Sequence, residues 1–442
     1  MVGLRSFVGG TFVKNVFVVM SGTAIAQVIA FAFSPILSRL YSPADFGAFG
    51  AYLSITMVFG AAATLNYGDT VLLPKQEEDA APLFLVACIS SLGLACLTVI
   101  FCLTASQQLL SWMGLGELGP YIWFVPSSVL LAGLTQALGS WCTRLKAFKN
   151  TSQAQVVRSV VLCGAQTGCG MTGFGAIGLI GAGVVADVAA VGFLGWAAVV
   201  RSGEVIRSAW HRGRMLAQAR EFGEFALYGT PQNLLNALSQ GLPVLALSHY
   251  YGAAIAGYYA FGMRLLQVPM NFFLTSIRQV LFQQLSHRKA HGEDLYFPFL
   301  KATGGLILVS VAPAALGFVL APAAFALVFG EQWRIAGEFG RWLIVWLAPA
   351  FCNVPANLAL RILRKQRELF LFDVALLAAR AATLILGGVW LKPSETIIIL
   401  SLVGCVFNNL LIVYGGVAVW DNRSAKREEE TTTVKLSQEP LN

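Results

Sequence analysis

The feature that most constrains this chain is a series of apolar runs of membrane-spanning length that recurs from end to end. A transmembrane helix needs about 20 apolar residues, because the hydrocarbon core of a bilayer is about 30 Å thick. Twelve such runs are present, at 13–37, 46–65, 83–104, 121–142, 156–175, 176–199, 231–249, 255–281, 299–322, 339–360, 370–391 and 396–419. The sequence predicts an all-α polytopic membrane protein with twelve transmembrane helices.

Composition supports this class. Hydrophobic residues make up 57% of the 442 residues and charged residues only 12%, whereas about a quarter of the residues of a soluble protein are charged. The net charge of +8 is therefore not interpreted as a nucleic-acid signal. The eight cysteines all lie in apolar runs without a CxxC pair, so we expect no metal site and no cofactor. The first run exceeds the core of a signal peptide and is expected to remain in the mature chain.

Lysine and arginine are unequally shared between alternate loops. When the N-terminus is placed in the cytoplasm, 21 of the 30 cations fall in cytoplasmic segments and five lie within or beside spans. The four on the outer side are Arg39, Arg334, Arg341 and Lys392. The positive-inside rule therefore predicts that both termini are cytoplasmic.

The chain contains an internal repeat. The stretches LSRLYSPADFG (37–47) and LSHYYGAAIAG (247–257) share five of eleven positions at an offset of 210 residues. Each joins the first two spans of a six-span half. Because six is an even number, both halves enter the membrane from the same side, so the repeat is parallel, with a pseudo-twofold axis along the membrane normal. We expect an N-terminal bundle (1–215), a basic connector (about 200–230), a C-terminal bundle (216–420) and a disordered tail (421–442). Two six-helix bundles facing a central cavity would form a transporter.

The eighth predicted span has one polar face. Its polar residues are spaced 3, 4, 4 and 3 apart, which places them within about 80° on a helix: Arg264, Gln267, Asn271, Thr275 and Arg278. Because a cation inside a bilayer is costly, Arg264 is expected to point into a cavity. Arg278 lies near the cytoplasmic interface, where it either lines the same cavity or extends to the headgroups.

Two further charges fall near the middle of predicted spans, Asp187 in the sixth and Arg380 in the eleventh. One interpretation is structural: they pair with each other or with the backbone. The other is functional: Arg380 contacts an anionic substrate and Asp187 binds a coupling cation.

The seventh span is polar in its inner portion, with Asn233, Asn236 and Gln240 ahead of Pro243. Bent helices with small and polar residues suit the moving walls of an alternating-access cavity, although a packing kink explains Pro243 equally well. GxGxxG occurs at Gly168–Gly173 between two spans without a preceding strand, so a dinucleotide fold is excluded. No GxSxG or HExxH motif is present, and we expect no enzyme activity.

The segment SGTAIAQVIAFAFSPILSRLYSPADFGAFGAYLSI (21–55) resembles the opening of Wzx-type polysaccharide-biosynthesis flippases. The features in common are Asp45-Phe46-Gly47 after Leu40 and a first span that ends in Pro-Ile-Leu-Ser-Arg. The resemblance implies a superfamily that also contains MATE multidrug exporters and lipid II flippases. Over the remaining spans the similarity is one of layout.

The resemblance implies translocation of an undecaprenyl-pyrophosphate-linked oligosaccharide between the leaflets of the bacterial inner membrane. It implies coupling to H⁺ or Na⁺ and, as further partners, a polysaccharide polymerase and a chain-length regulator. Arg264, Arg278 and Arg380 would then bind pyrophosphate. The glycan would contact Gln267, Asn271, Thr275, Asn233, Asn236 and Gln240. Ser54 and Gly68 occupy the positions of Arg264 and Arg278 in the first half, so the cationic site is expected to be one-sided.

Two alternatives remain. An ion-coupled multidrug exporter of the same fold should favour acidic cavity residues over arginines. A membrane glycosyltransferase or polymerase should have a large outer loop, and the longest outer loops here have only about 16 residues between spans. A lipid II flippase would need two further spans.

Overall fold

The computed structural model describes residues 11–104, 108 and 116–438. Within these ranges the side chains of 11–21, 116–118, 275, 276, 279 and 425–438 lie outside the description. The described residues form helices and turns and contain no strand, which confirms the all-α class.

The first six predicted spans fall on long helices. These are α1 (Thr11–Leu40), α2 (Pro43–Ala61), α4 (Glu77–Thr104), α5 (Val125–Arg144), α6 (Phe148–Met171) and α7 (Gly175–Ser208). The shorter elements are α3 (Tyr67–Thr70), a 3₁₀ segment (Gly116–Phe124), α8 (Arg212–Glu221) and a π-turn (Phe225–Gly229).

The last six predicted spans also fall on helices. They are α9 (Thr230–Tyr251), α10 (Ala253–Ala290), α11 (Tyr296–Phe329), α12 (Arg334–Cys352) with α13 (Val354–Ile362), α14 (Gln366–Trp390) and α15 (Pro393–Gln438), with a 3₁₀ turn at Glu331–Trp333. The break between α12 and α13 lies at Asn353, inside the predicted span 339–360.

Nine helical segments in the described part of the chain are long and apolar enough to cross a bilayer. The protein is therefore a multi-pass membrane protein, while the count of twelve spans stays a prediction. The three long helices outside the nine are α6, α9 and α10. These helices contain Arg158, the amides of the seventh span and the polar face around Arg264, so polar content rather than short length distinguishes them.

The turn between α1 and α2 gives the SPADFG stretch a physical explanation. Ser42 caps α2: its hydroxyl accepts the Asp45 N–H at 3.2 Å, and its own N–H donates to the Asp45 carboxylate at 2.9 Å. Pro43 follows at the first helical position, which its fixed φ favours. Phe46 then packs edge-on against Trp333, with ring centroids 5.2 Å apart. The stretch is thus a helix start together with a buried aromatic anchor.

The repeat is expressed as a reciprocal backbone contact between α2 and the start of α10. A Cβ at Gly47 would lie 1.8 Å from the carbonyl oxygen of Ala253, and a Cβ at Gly257 would lie 1.8 Å from that of Pro43. Gly257 stands 210 residues after Gly47, and Ala253 stands 210 residues after Pro43. The contact of Gly47 with Ala253 is therefore repeated by the equivalent residues Gly257 and Pro43, as expected for helices related by a pseudo-twofold axis.

A second matched element is the turn that follows α5 and the one that follows α13, both predicted to be cytoplasmic and here called the inner turns. Lys146 and Arg364 adopt left-handed φ values of 55° and 60°. The next residue in each turn, Ala147 or Lys365, donates its N–H to a carbonyl five residues earlier, at 2.8 and 2.9 Å. The two halves thus close this helix end in the same way, with a cation at a position that glycine would normally occupy.

By internal packing the chain separates into two compact units. Unit 1 comprises 1–261 with 326–333, and unit 2 comprises 262–325 with 334–442. The core of unit 1 surrounds Trp141, whose indole N–H donates to Ser202 at 2.8 Å. The predicted boundary at residue 215 stays a prediction, since α9 and the start of α10 pack within unit 1.

The C-terminal segment differs from its prediction. Residues 421–442 were expected to be disordered, but α15 continues without a break to Gln438. Extending an existing helix adds one hydrogen bond per residue without a new nucleation cost, so a polar tail can continue a membrane-anchored helix. Residues 439–442 lie outside the described part of the chain.

Candidate functional site

The predicted polar face of α10 lies on one uninterrupted helix from Ala253 to Ala290. Arg264 and Gln267 are half-buried, and Asn271 and Arg278 are exposed. The side chain of Thr275 lies outside the described ones. Helical continuity keeps these residues on one face over about 21 Å, at 1.5 Å rise per residue. We call this face the polar stripe.

Arg380 lies in the interior of unit 2. It is 7% exposed, and its guanidinium stacks over the indole of Trp346 at 4.4 Å. Gly404 also approaches that indole closely, because a Cβ at this position would lie 2.5 Å from the ring. A cation over the face of a tryptophan is attracted by the negative face of the ring, so this contact helps to stabilise the buried guanidinium. Its burial makes Arg380 a weaker candidate for direct substrate contact than the stripe arginines.

Asp187 pairs with Arg158 of the neighbouring helix α6, through Nε and Oδ1. The pairing with Arg380 that the sequence suggested is not the one observed for this carboxylate. The Asp187 side chain is 22% exposed and that of Arg158 is 44% exposed, so the pair is only partly buried. Sequence spacing did not reveal the pair because the two residues are 29 positions apart on different helices.

Of the predicted site amides on α9, one makes a side-chain hydrogen bond and two are exposed. Asn233 donates to the side-chain oxygen of Asn66 at 3.2 Å, and Asn66 donates in turn to the carbonyl of Phe225 in the π-turn at 3.2 Å. Asn236 and Gln240 are exposed. Asn66 was not predicted as a site residue. Its left-handed φ of 62° is a conformation that asparagine tolerates better than most residues.

A cluster of cations at one end of unit 2 was also missed. Lys289, Arg361 and Arg364 line a cavity of about 670 Å³, and Lys289 donates to the Asn422 side chain at 2.7 Å. Arg361 and Arg364 lie at the end of α13 and in the turn after it, whereas Lys289 lies at the end of α10, so only the fold brings the two segments together. We call this group the inner cation cluster, after the cytoplasmic side on which the prediction from loop charges would put it.

Comparison with known proteins decides the family. The family model described as "Polysaccharide biosynthesis protein" matches residues 36–337. The chain belongs to this family. The match covers the SPADFG turn, the polar stripe and both members of the reciprocal glycine contact, Gly47 and Gly257.

A curated relative of this polysaccharide biosynthesis protein is the succinoglycan biosynthesis transport protein ExoT of Rhizobium meliloti (strain 1021). The two are 25% identical over 315 residues, which is 70% of this chain and 60% of ExoT. The match thus spans less than two thirds of the relative's own length.

Solved structures of low identity share the fold. The lipid II flippase MurJ in an inward closed conformation has a TM-score of 0.70 at 11% identity, over 96% of this chain and 94% of MurJ. An inward-facing MATE multidrug transporter has a TM-score of 0.66 at 14% identity, over 91% of this chain and 99% of the other. The polysaccharide biosynthesis protein therefore has the MATE-like membrane transporter fold, and the predicted family is confirmed.

Proposed function

We propose that this protein is a flippase that moves an undecaprenyl-pyrophosphate-linked oligosaccharide from the cytoplasmic to the periplasmic leaflet by alternating access. Family membership supports a role in polysaccharide biosynthesis, and the fold supports transport. The observation that points to this substrate class is the polar stripe, which puts two arginines and two described amides on one face of a bilayer-length helix.

The stripe has the chemistry that such a substrate needs. A guanidinium presents fixed N–H donors that match phosphate oxygens and stays charged at any physiological pH. Gln267 and Asn271 lie between Arg264 and Arg278 along the helix and offer both donors and acceptors to sugar hydroxyls. A cationic drug would be repelled by this face, so we favour an anionic substrate over a multidrug one.

The rest of the machinery is assigned by the same logic. Asp187 is the proposed site of a coupling ion, H⁺ or Na⁺, which would compete with Arg158 for the carboxylate. The excess of loop cations supports a cytoplasmic location of both termini, and the proposed function corresponds to the bacterial inner membrane. Asn236 and Gln240 extend the polar lining, and a polymerase with a chain-length regulator would receive the product.

The proposal is tested by substituting Arg264. Loss of charge-assisted hydrogen bonds to phosphate costs about 1.5–3 kcal/mol, which is about 10–100-fold in affinity. We expect Arg264→Ala to lower surface glycan export at least tenfold in cells deleted for the endogenous protein. Arg264→Lys keeps the charge without the forked donor geometry, so its glycan export should lie between those of the wild type and Arg264→Ala.

Phe272→Ala, an exposed position off the stripe, is the matched control and should export normally. Membrane insertion of each variant is measured by immunoblot of the membrane fraction. Normal glycan export by inserted Arg264→Ala contradicts the proposal. Resistance to cationic dyes that depends on the protein would instead identify a multidrug exporter.

A further inference from the structure

Unit 2 contains an apolar groove on the side of α10 away from the polar stripe. The groove has a volume of about 880 Å³ and lies between α10, α11 and α12. Its lining includes Leu266, Met270 and Phe273 from α10, Val309 and Pro313 from α11, and Ile344 from α12. At 100° per residue, the groove residues of α10 centre about 140° from the stripe. If the stripe faces a polar path, the groove faces lipid.

A lysine stands where the apolar groove ends. Lys301 lines it five residues after the start of α11 and also lines a second cavity of about 1050 Å³. The two cavities share Val280, Leu281 and Ala302 as well, so they form one continuous depression.

The second cavity is polar. It is lined by Gln283, Gln284, His287 and Arg288, and Arg288 pairs with Glu293 at 3.3 Å. An apolar trough that opens into a polar chamber beside a cation has the layout of an anionic lipid site. In such a site the trough would accommodate a hydrocarbon tail, Lys301 would pair with a phosphate, and the amides would face the group attached to that phosphate.

We propose that this continuous groove is a loading site for a polyisoprenoid phosphate lipid, with the tail along α11 and the phosphate at Lys301. The inference rests on the proposed flippase function and adds a place where the carrier lipid binds before its head group enters the transport path. Charge complementarity at Lys301 and the apolar lining define the occupant.

Groove length favours a polyisoprenoid over an ordinary phospholipid. From Lys301 to Gly317, both of which line the groove, α11 rises about 24 Å at 1.5 Å per residue. The acyl chains of a phospholipid occupy one leaflet, about half of the 30 Å hydrocarbon core. A groove about 24 Å long therefore fits a tail longer than the thickness of a single leaflet.

Two adjacent glycines provide a matched test. A Cβ at Gly304 or at Gly305 would meet nothing within 4 Å, but only Gly305 lines the groove. At both positions the first side-chain atom has space, so Gly305→Phe puts an aromatic ring into the groove and Gly304→Phe adds the same bulk outside its lining. Binding of undecaprenyl phosphate to the purified full-length protein in nanodiscs is measured by native mass spectrometry, with phosphatidylglycerol as competitor.

We expect Gly305→Phe to weaken undecaprenyl phosphate binding at least tenfold and Gly304→Phe to leave it unchanged. Lys301→Gln should weaken binding several-fold, and Lys301→Arg should restore it. Equal effects of the two phenylalanines, or equally effective competition by phosphatidylglycerol, overturn the inference and identify an annular lipid site. This binding assay is independent of export, so the loading site can fail while Arg264→Ala still abolishes transport.

Discussion

The hairpins α1–α2 and α9–α10 are equivalent at an offset of 210 residues. Their turns make the same packing contact, but the residues farther along the helices differ. At the turn, Gly47 and Gly257 make the same contact with the partner's backbone. Deeper in the helices the equivalents diverge, because Ser54 corresponds to Arg264. Ser54 is 5% exposed and donates to the Gly50 carbonyl at 2.8 Å, whereas Arg264 is half-buried. Packing has stayed symmetric while the chemistry has become one-sided.

This difference separates two roles of the repeat. The turn contacts are set by backbone approach, which allows only glycine, so both copies must keep it. Polar side chains on the helix faces are not needed for that packing, and one copy alone can acquire them. A substrate with a single charged end, such as a lipid-linked glycan, needs only one cationic wall.

The largest expected effect comes from breaking the symmetric contact. In Gly47→Ala or Gly257→Ala the new methyl would meet a carbonyl oxygen at 1.8 Å, so the helices must separate. Overpacking of this kind costs about 3 kcal/mol or more when backbone has to move. We expect both variants to lose most folded protein, measured as the monodisperse fraction in detergent chromatography.

Gly60→Ala is the control within α2, since its Cβ would meet Ala132 at an ordinary 3.6 Å. It should give normal yields. Because the contact is reciprocal, the two test variants should be damaged to a similar degree. A mild effect at one glycine and a severe effect at the other would show that the repeat is not symmetric at this turn.

Much of the fold was accessible from the sequence because its determinants are local. Apolar runs fix the helices, and a five-residue coincidence was enough to identify Gly47 and Gly257 as equivalent positions of a repeat. The helical tail was missed because composition alone suggests disorder, whereas helix propagation depends on the segment that precedes it. The three more polar helices were still predicted, since their apolar faces are long enough to span.

The candidate site was accessible only in part. The polar stripe was predicted because its five residues lie on one helix. The Arg158–Asp187 pair and the inner cation cluster were not, because each joins separate helices, and a periodic pattern contains no information about which helices are neighbours. Arg380 stays a predicted site residue, and its contact with Trp346 was not accessible from the sequence because the two residues lie on different helices.

A smaller effect is expected at the Arg158–Asp187 pair, which lies in the first half of the chain, whereas the polar stripe lies in the second half. If Asp187 binds the coupling ion, Asp187→Asn should reduce gradient-driven transport about tenfold, while Arg158→Gln alone should retain most of it. Transport is measured as uptake into proteoliposomes with an imposed pH or Na⁺ gradient. A purely structural pair predicts another pattern: both single variants are impaired because each leaves one charge unpaired, and the double variant Arg158→Gln with Asp187→Asn recovers.

The smallest expected effect is on the stability of the two inner turns, where Lys146 in the first half and Arg364 in the second half have positive φ values. An L-residue other than glycine costs about 1 kcal/mol in this conformation, so the glycine variants should be more stable than the alanine variants by about that amount at both turns. The comparison of Lys146→Gly with Lys146→Ala, and of Arg364→Gly with Arg364→Ala, removes the cation in every case and isolates the backbone term. Thermal unfolding in detergent measures it.

Transport by the same four variants tests whether the two cations are equivalent. Arg364 belongs to the inner cation cluster with Lys289 and Arg361, whereas Lys146 has no such described cavity beside it. Both Arg364 variants should therefore transport several-fold less than wild type, the stabilised glycine variant included, and both Lys146 variants should transport normally. Equal transport from all four would mean that the second half uses Arg364 only to close a helix, as the first half uses Lys146. The one-sidedness of the chemistry would then be confined to the polar stripe.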